Sequence, residues 1–338
     1  MLIRYNKCVF CKSKSLKICA NQKYNYNFYV KYISQDLNLN KKDLEKIKTY
    51  RCNVCNLYQN NPWFDRSTTK KIYSNIYGQH HRSWSNIINY FNKGVMPDHG
   101  DLFKILIKKI KIKKYAEFNS VFMGFLINFF ENENQQNFKK KKFFFVNALN
   151  YLKSRQLAGF SPSKRKSFFL KSVKFLKSIK IFKDKNRKKK LIKKFLLTDN
   201  SFMSWGENDN YKSVNSKTLA SELFDLNFIN INDINKMKKK FDLIGIFHSL
   251  DHTFEPKKVL DLSLSISDYV LVYSHSDKKI NKQHLFSFNK QFLDYLNKEK
   301  IYTINLTDKI GKKYKSPELY FLCSKSKKKI SRFNENKY

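Results

Sequence analysis

Two Cys-x-x-Cys pairs, CVFC at residues 8–11 and CNVC at residues 52–55, use four of the six cysteines in this chain. Each pair brings two thiolates to one side of a tight turn, and two such knuckles supply the four sulfurs that tetrahedral Zn²⁺ prefers. Cys8, Cys11, Cys52 and Cys55 are therefore expected to hold a structural zinc ion in an N-terminal ribbon. The 40 residues between the pairs must form hairpin or helical structure of their own. Two pairs flanking one segment favour zinc over a redox pair. A four-sulfur site is closed to further ligands, so it holds a fold together rather than catalysing. Cys19 and Cys323 read as ordinary thiols.

The second constellation is His248 and His252, four apart in FHSLDH. The spacing imitates the zinc-protease H-E-x-x-H, but Ser249 stands where the glutamate base is required, so that chemistry is excluded. Both follow the apolar run FDLIGIF, where an open α/β sheet places its ligands beyond a strand end. His252 is expected to act near a substrate, as proton acceptor or orienting group, with His248 beside it. A structural, hydrogen-bonded role is the alternative for each.

The elements that must position these residues follow from periodicity. Residues 1–60 form the cysteine module and 61–110 a helical linker or cap. In the linker, Asp65–Thr69 supplies cap chemistry for a helix starting near Ser67. A turn through Gly94, Pro97 and Gly100 precedes a second helix carrying Phe103, Leu106, Ile107 and Ile110 on one face. From residue 111 to 326, short apolar segments (KKYAEF, KKFFFVNA, RQLAGFS, FDLNFINI, FDLIGIF, DYVLVYS, IYTINL, ELYFLCS) alternate with helix-compatible stretches. That alternation predicts an α/β sheet wound with helices, the last two segments forming an antiparallel pair at its edge. A basic insertion occupies about 164–220, and 327–338 is a basic tail. Within the insertion, Phe169, Val173, Leu176 and Ile179 share a helical face ringed by lysine. This reads as a helix docked on the sheet, with an anionic surface site as the alternative.

The net charge is +41, yet arginine occupies only eight positions, leaving lysine the other 60 of the 68 basic residues. Base and phosphate recognition favours the bidentate arginine fork. The lysine surplus therefore implies nonspecific attraction to polyanions rather than a dedicated nucleic-acid function. No apolar run approaches the ~20 residues of a membrane span, and MLIRYNKCVFC has no signal-peptide core before its first cysteine. Free thiols suit a reducing interior, so the expected location is the cytoplasm.

Three segments, in order, resemble class I S-adenosylmethionine-dependent methyltransferases with an N-terminal zinc ribbon, the group that includes deoxysugar C-methyltransferases. YRCNVCNLYQNNPWFD running into IYSNIY is similar to the family's second knuckle, Asn-Pro and tyrosine-containing helix. FDLIGIFHSLDHTFEPKKVL, residues 241–260, resembles the strand ending in H-x-L-E-H-x-x-D-P, with Asp251 for the usual Glu and Glu255 for the usual Asp. QHLFSFNKQFLDYLNKEKIYTINL, residues 283–306, resembles H-x-x-x-F-s-x-x-x-L-x-x-L-L-x-x-x-G-F.

The resemblance implies a Rossmann-like, doubly wound sheet of seven strands with S-adenosylmethionine across the carboxyl ends of the first strands. The matching cofactor positions are Glu117, Asn119, Gly124, Ser161, Asp233 and His248. The match departs from the family at two places. Gly124 is the one glycine left in the loop after Glu117, with Phe118, Asn119 and Val121 carrying side chains there. Phe160 replaces the ribose-binding acid expected after RQLAGF.

The leading expectation is methyl transfer to a small molecule, such as a nucleotide-linked sugar or related surface-polysaccharide precursor. The alternatives are a catalytically inactive methyltransferase-fold binding protein and a zinc-ribbon nucleic-acid-binding protein.

Overall fold

The computed structural model describes residues 2–19, 42, 45–72, 97–118, 192–197, 227–230, 241–247, 250–276, 284–308, 310 and 318–335. They form a mixed α/β structure with a partly parallel sheet, joined to a small antiparallel N-terminal module.

The module contains β1 (Leu2–Ile3), β2 (Leu16–Ile18), β3 (Lys48–Cys52), β4 (Tyr58–Asn61) and β5 (Trp63–Phe64). Strands β2, β3 and β4 pair antiparallel, and β1 pairs with β5. All four residues of β4, Tyr-Gln-Asn-Asn, are buried, so each amide must find partners. Gln59 Oε1 accepts from the Val9 N–H at 3.0 Å, fixing the first knuckle. Asn61 exchanges two hydrogen bonds with the Tyr5 backbone, at 2.9 and 2.8 Å.

Asp65 then caps α1 (Arg66–Ile72), its Oδ1 accepting from the Thr68 N–H at 2.7 Å, so the expected cap is present. Helix α2 runs Pro97–Lys109. It starts at Pro97 rather than after Gly100, because proline's fixed φ suits the first helical turn, where its missing N–H costs nothing. Phe103, Leu106 and Ile110 of the expected face are buried, joined by Leu102, while Ile107 is only half-buried.

The larger sheet holds β6 (Lys114–Phe118), β7 (Ile192–Leu197), β8 (Asn227–Asn230), β9 (Phe241–Phe247), β10 (Ser267–His275), β12 (Tyr302–Asn305) and β13 (Glu318–Ser324). Its order is β12-β13-β10-β9-β6-β7-β8. Strands β6 to β10 are mutually parallel, while β13 runs antiparallel between β10 and β12. The chain therefore builds outward from β6 to β8 on one side, then returns to place β9 against the other side of β6.

Strand β9 and the middle of β10 are apolar and largely buried, as strands covered on both faces must be. The crossover helix α3 (Pro256–Ile266) buries Val259, Leu260, Ser263 and Leu264 between them. Helix α4 (Lys290–Lys298) follows the two-residue β11 (Phe286–Ser287), and α5 (Lys327–Glu335) makes most of the basic tail helical.

Six of the eight predicted apolar segments coincide with strands of this sheet, and the closing pair is antiparallel as expected. KKFFFVNA and RQLAGFS lie outside the described residues. The strand beside β6 is Ile192–Leu197, at the end of the stretch read as a basic helix. Its sequence, Ile-Lys-Lys-Phe-Leu-Leu, has no strict alternation and continues the run of lysines before it. The remainder of that helix lies outside the described residues.

Gly245 sits in β9 opposite Glu117 of β6. A Cβ there would stand 2.5 Å from both Phe247 Cε2 and the Tyr115 hydroxyl, two rings that are fully buried. Gly245→Ala is expected to lower unfolding free energy by roughly 1–3 kcal/mol through overpacking, read from urea denaturation. An unchanged midpoint would mean that both rings can withdraw.

Candidate functional site

The four cysteines predicted to bind metal come together. Cys8 Sγ lies 3.5 Å from Cys55 Sγ, and Cys11 Sγ lies 3.5 Å from Cys52 Sγ. All four sulfurs fall within 4.8 Å of one another, so the group could hold a metal ion. Four sulfurs at the ~2.3 Å zinc distance on tetrahedral corners stand about 3.8 Å apart. The observed spacing therefore fits that coordination, and all four are free thiols.

Each knuckle turns back through a left-handed residue directly after its second cysteine, Lys12 and Asn56, both at φ 62°. Lys12 N–H donates to the Cys8 carbonyl at 3.1 Å and Asn56 N–H to the Cys52 carbonyl at 2.9 Å. Without metal, hydrogen bonds from the Cys55 and Cys8 thiols push the Cys11 thiol down to about 2. The contact with Cys11 in turn pushes Cys8 up to about 12 and Cys55 up as well. The shared contacts thus favour ionisation of Cys11 over Cys8 and Cys55.

The ribbon is fastened to the larger sheet. Strand β11 pairs antiparallel with β4, Phe286 opposite Gln59 and Ser287 opposite Tyr58. Asn60 extends this pairing: its backbone N–H donates to the Leu285 carbonyl at 2.8 Å and its Nδ2 to the His284 carbonyl at 2.9 Å. Its Oδ1 accepts from Thr49 at 3.0 Å. Asn289 caps α4, accepting from the Phe292 N–H at 3.0 Å, and its Nδ2 donates to the Asn56 carbonyl in the second knuckle. Phe10, inside the first knuckle, meets Phe292 edge-on at 4.8 Å.

On its other side the same segment holds the end of β10. The His275 carbonyl accepts from the Phe288 N–H at 3.2 Å and from the Ser287 hydroxyl at 3.1 Å. This brings His284 against His275, their rings perpendicular (88°) with centroids 4.1 Å apart. Between them comes Asp251, from the short 3₁₀ turn Leu250–His252 that follows β9. Asp251 Oδ2 lies 2.6 Å from His275 Nδ1 and 3.2 Å from His284 Nδ1. Asp251 is fully buried, and His284 is 5% exposed. Glu318, which begins β13, places Oε1 at 3.8 Å from His275 Nε2.

Sequence alone places polar chemistry after β9 but points to different histidines. His252 falls in the 3₁₀ turn, and the residue of that turn joined to the two described rings is Asp251. His248, Asn119, Gly124, Ser161 and Asp233 lie outside the described residues. Glu117 is in β6, paired with Phe195 of β7 and Gly245 of β9. His275 and His284 are site residues that sequence reasoning misses. His284 carries a signal, because it occupies the histidine of the H-x-x-x-F pattern; His275 reads only as the last residue of an apolar strand. No protein-family model matches the chain, and no curated protein does.

Cys52→Ser is expected to weaken binding of the ribbon ion at least about a hundredfold, since even the loss of an outer hydrogen-bonding partner costs up to that much. Competition with a colorimetric chelator measures it. Acidification should release the ion, because protons compete for the thiolates. Asn60→Leu leaves the His284 carbonyl and Thr49 without their side-chain partner and should cost roughly 1–3 kcal/mol. Solvent exchange of the Leu285–Phe288 amides should rise in that variant, whereas unchanged protection would mean the backbone pairing alone holds the segment.

Proposed function

We propose that the chain is an S-adenosylmethionine-dependent methyltransferase acting on a small-molecule acceptor, with a structural Zn²⁺ in its cysteine ribbon. The observation that carries this reading is the reversal of strand order between β6 and β9. In open, doubly wound α/β sheets, ligands bind outside the carboxyl ends of the strands at such a switch point.

Acidic residues fall at the carboxyl ends of the strands around it. Glu117 is the penultimate residue of β6. Asp199 comes two residues after β7 ends at Leu197, and Asp233 three after β8 ends at Asn230. Relocating the second strand to Ile192–Leu197 removes the difficulty of Phe160. The acid sought for the ribose hydroxyls is Asp199, with Glu117 for the amino-acid portion and Asp233 for the adenine.

The cofactor would supply an electrophilic methyl group on sulfonium sulfur. The protein's share is to align the acceptor with it and to remove a proton where the acceptor demands one. His252, in the same short turn as Asp251, and His248, three residues before Asp251 in sequence, are the residues proposed for proton removal. The ribbon, through β11, closes one side of this region, and a lysine-rich surface suits a phosphorylated acceptor such as a nucleotide-linked sugar.

Titration calorimetry tests the reading. S-Adenosylmethionine should bind the zinc-loaded chain tighter than millimolar, and Asp199→Asn should weaken it by about 5- to 150-fold, equivalent to ~1–3 kcal/mol. Binding weaker than millimolar to the folded wild-type chain would remove the enzyme and leave a binding module.

A further inference from the structure

We propose that Asp251, His275 and His284 form a second metal site, distinct from the cysteine cluster, for a divalent transition-metal ion. Three separate parts of the chain supply the donors: the turn after β9, the last residue of β10, and the residue entering the segment that β4 holds. Their donor atoms lie within 4.8 Å of one another. Two imidazoles and one carboxylate are the donor set of open zinc and non-haem iron sites, in which the remaining positions take water or substrate.

The geometry of the rings supports a common centre. Both histidines direct Nδ1 at the same oxygen, Asp251 Oδ2, at 2.6 and 3.2 Å. The rings approach at 88° rather than stacking, so their nitrogens converge from different directions. Donors around an ion at ~2.0–2.2 Å stand about 3.3–3.6 Å apart on tetrahedral corners and about 2.8–3.1 Å apart on adjacent octahedral ones. The His284 contact falls between the two, and the His275 contact needs to open by a few tenths of an ångström or more.

Glu318 plays the part that outer carboxylates play around metal-bound histidines, orienting the ring from its far nitrogen. Its Oε1 is 3.8 Å from His275 Nε2. If His275 turns Nε2–H toward Glu318, its Nδ1 lone pair faces Asp251.

Charge points the same way. Asp251 and Glu318 are 0% and 9% exposed, and buried carboxylates need positive charge close by. Among the described residues, protons shared on the two rings can supply that charge, and so can one dication at this centre. The two states differ in what they bind, which makes them separable.

Cobalt(II) titration of the metal-stripped full-length chain, followed by absorption, distinguishes them without relying on methyl transfer. The expected result is two ions per chain, one giving the intense charge-transfer band of thiolate coordination and the other adding absorption without it. His284→Ala and Asp251→Asn should each reduce the count to one, leaving the thiolate band at full height. Saturation of the wild-type chain at one ion, with the thiolate band complete, would overturn the site and leave the proton-shared cluster. Two ions retained in both variants would overturn it equally. Should either variant fail to fold by circular dichroism, the wild-type stoichiometry still decides.

Discussion

One buried amide, Asn60, joins the two halves of this molecule. Its backbone N–H and side-chain Nδ2 hold Leu285 and His284, while its Oδ1 receives the Thr49 hydroxyl inside the ribbon sheet. Asparagine at that position is fully buried, which is tolerable only because its donors and acceptor are used. An apolar side chain could fill the space and keep the backbone bond to Leu285, but it would lose the bond to the His284 carbonyl. Backbone pairing sets the register of β11 on β4, and the Asn60 amide extends it to His284.

This gives the cysteine cluster a consequence beyond its own knuckles. A metal ion in the four-cysteine group would stabilise the small module by tying its two knuckles together. The knuckles flank β3 and precede β4, β4 carries β11, and the β11 segment anchors the His275 carbonyl. Phe10 against Phe292 and Asn289 on the Asn56 carbonyl tie both knuckles to α4 as well. The cysteines touch neither histidine, yet the polar cluster is assembled on a segment that the ribbon helps position.

The fold is largely legible in sequence where strands are apolar and bounded by helices: FDLIGIF, DYVLVYS and ELYFLCS could hardly be anything else. The cysteine cluster is legible for a different reason, since two closely spaced thiol pairs are what a four-sulfur tetrahedral site requires. Lysine abundance defeats the reading of β7, where IKKFLL continues a basic run and does not alternate. The Asp251–His275–His284 cluster is illegible because it is made by non-local pairing. Nothing in a stretch ending YSH says that its carbonyl will be bonded by residues 287 and 288, bringing His284 back across the loop. His252 and His248 stand out because they are close in sequence to Asp251, whereas the imidazoles that the described residues bring to it come from 24 and 33 positions further along.

Among the described residues, the side chains that meet Asp251 are histidines rather than lysines. Lysines are everywhere on the surface, and a long, strongly hydrated ammonium could neutralise an exposed carboxylate at little cost. Bringing it into a site between two sheets would strip its hydration, with several kcal/mol of desolvation for each ion. Imidazole avoids this. It can sit neutral in a buried place, donate or accept at either nitrogen, and take up a proton or a metal ion when one is supplied. Asp242 illustrates the cheaper arrangement at the opposite end of the same strand. There Oδ2 accepts the backbone N–H groups of Lys113 and Lys114 at 2.7 and 2.8 Å, setting the start of β6 against β9. The carboxylate at the amino end of β9 is thus used for register, whereas the one beyond its carboxyl end is surrounded by groups whose charge state can change. That contrast separates two acids joined by one strand: one sets register, and the other lies against two imidazoles.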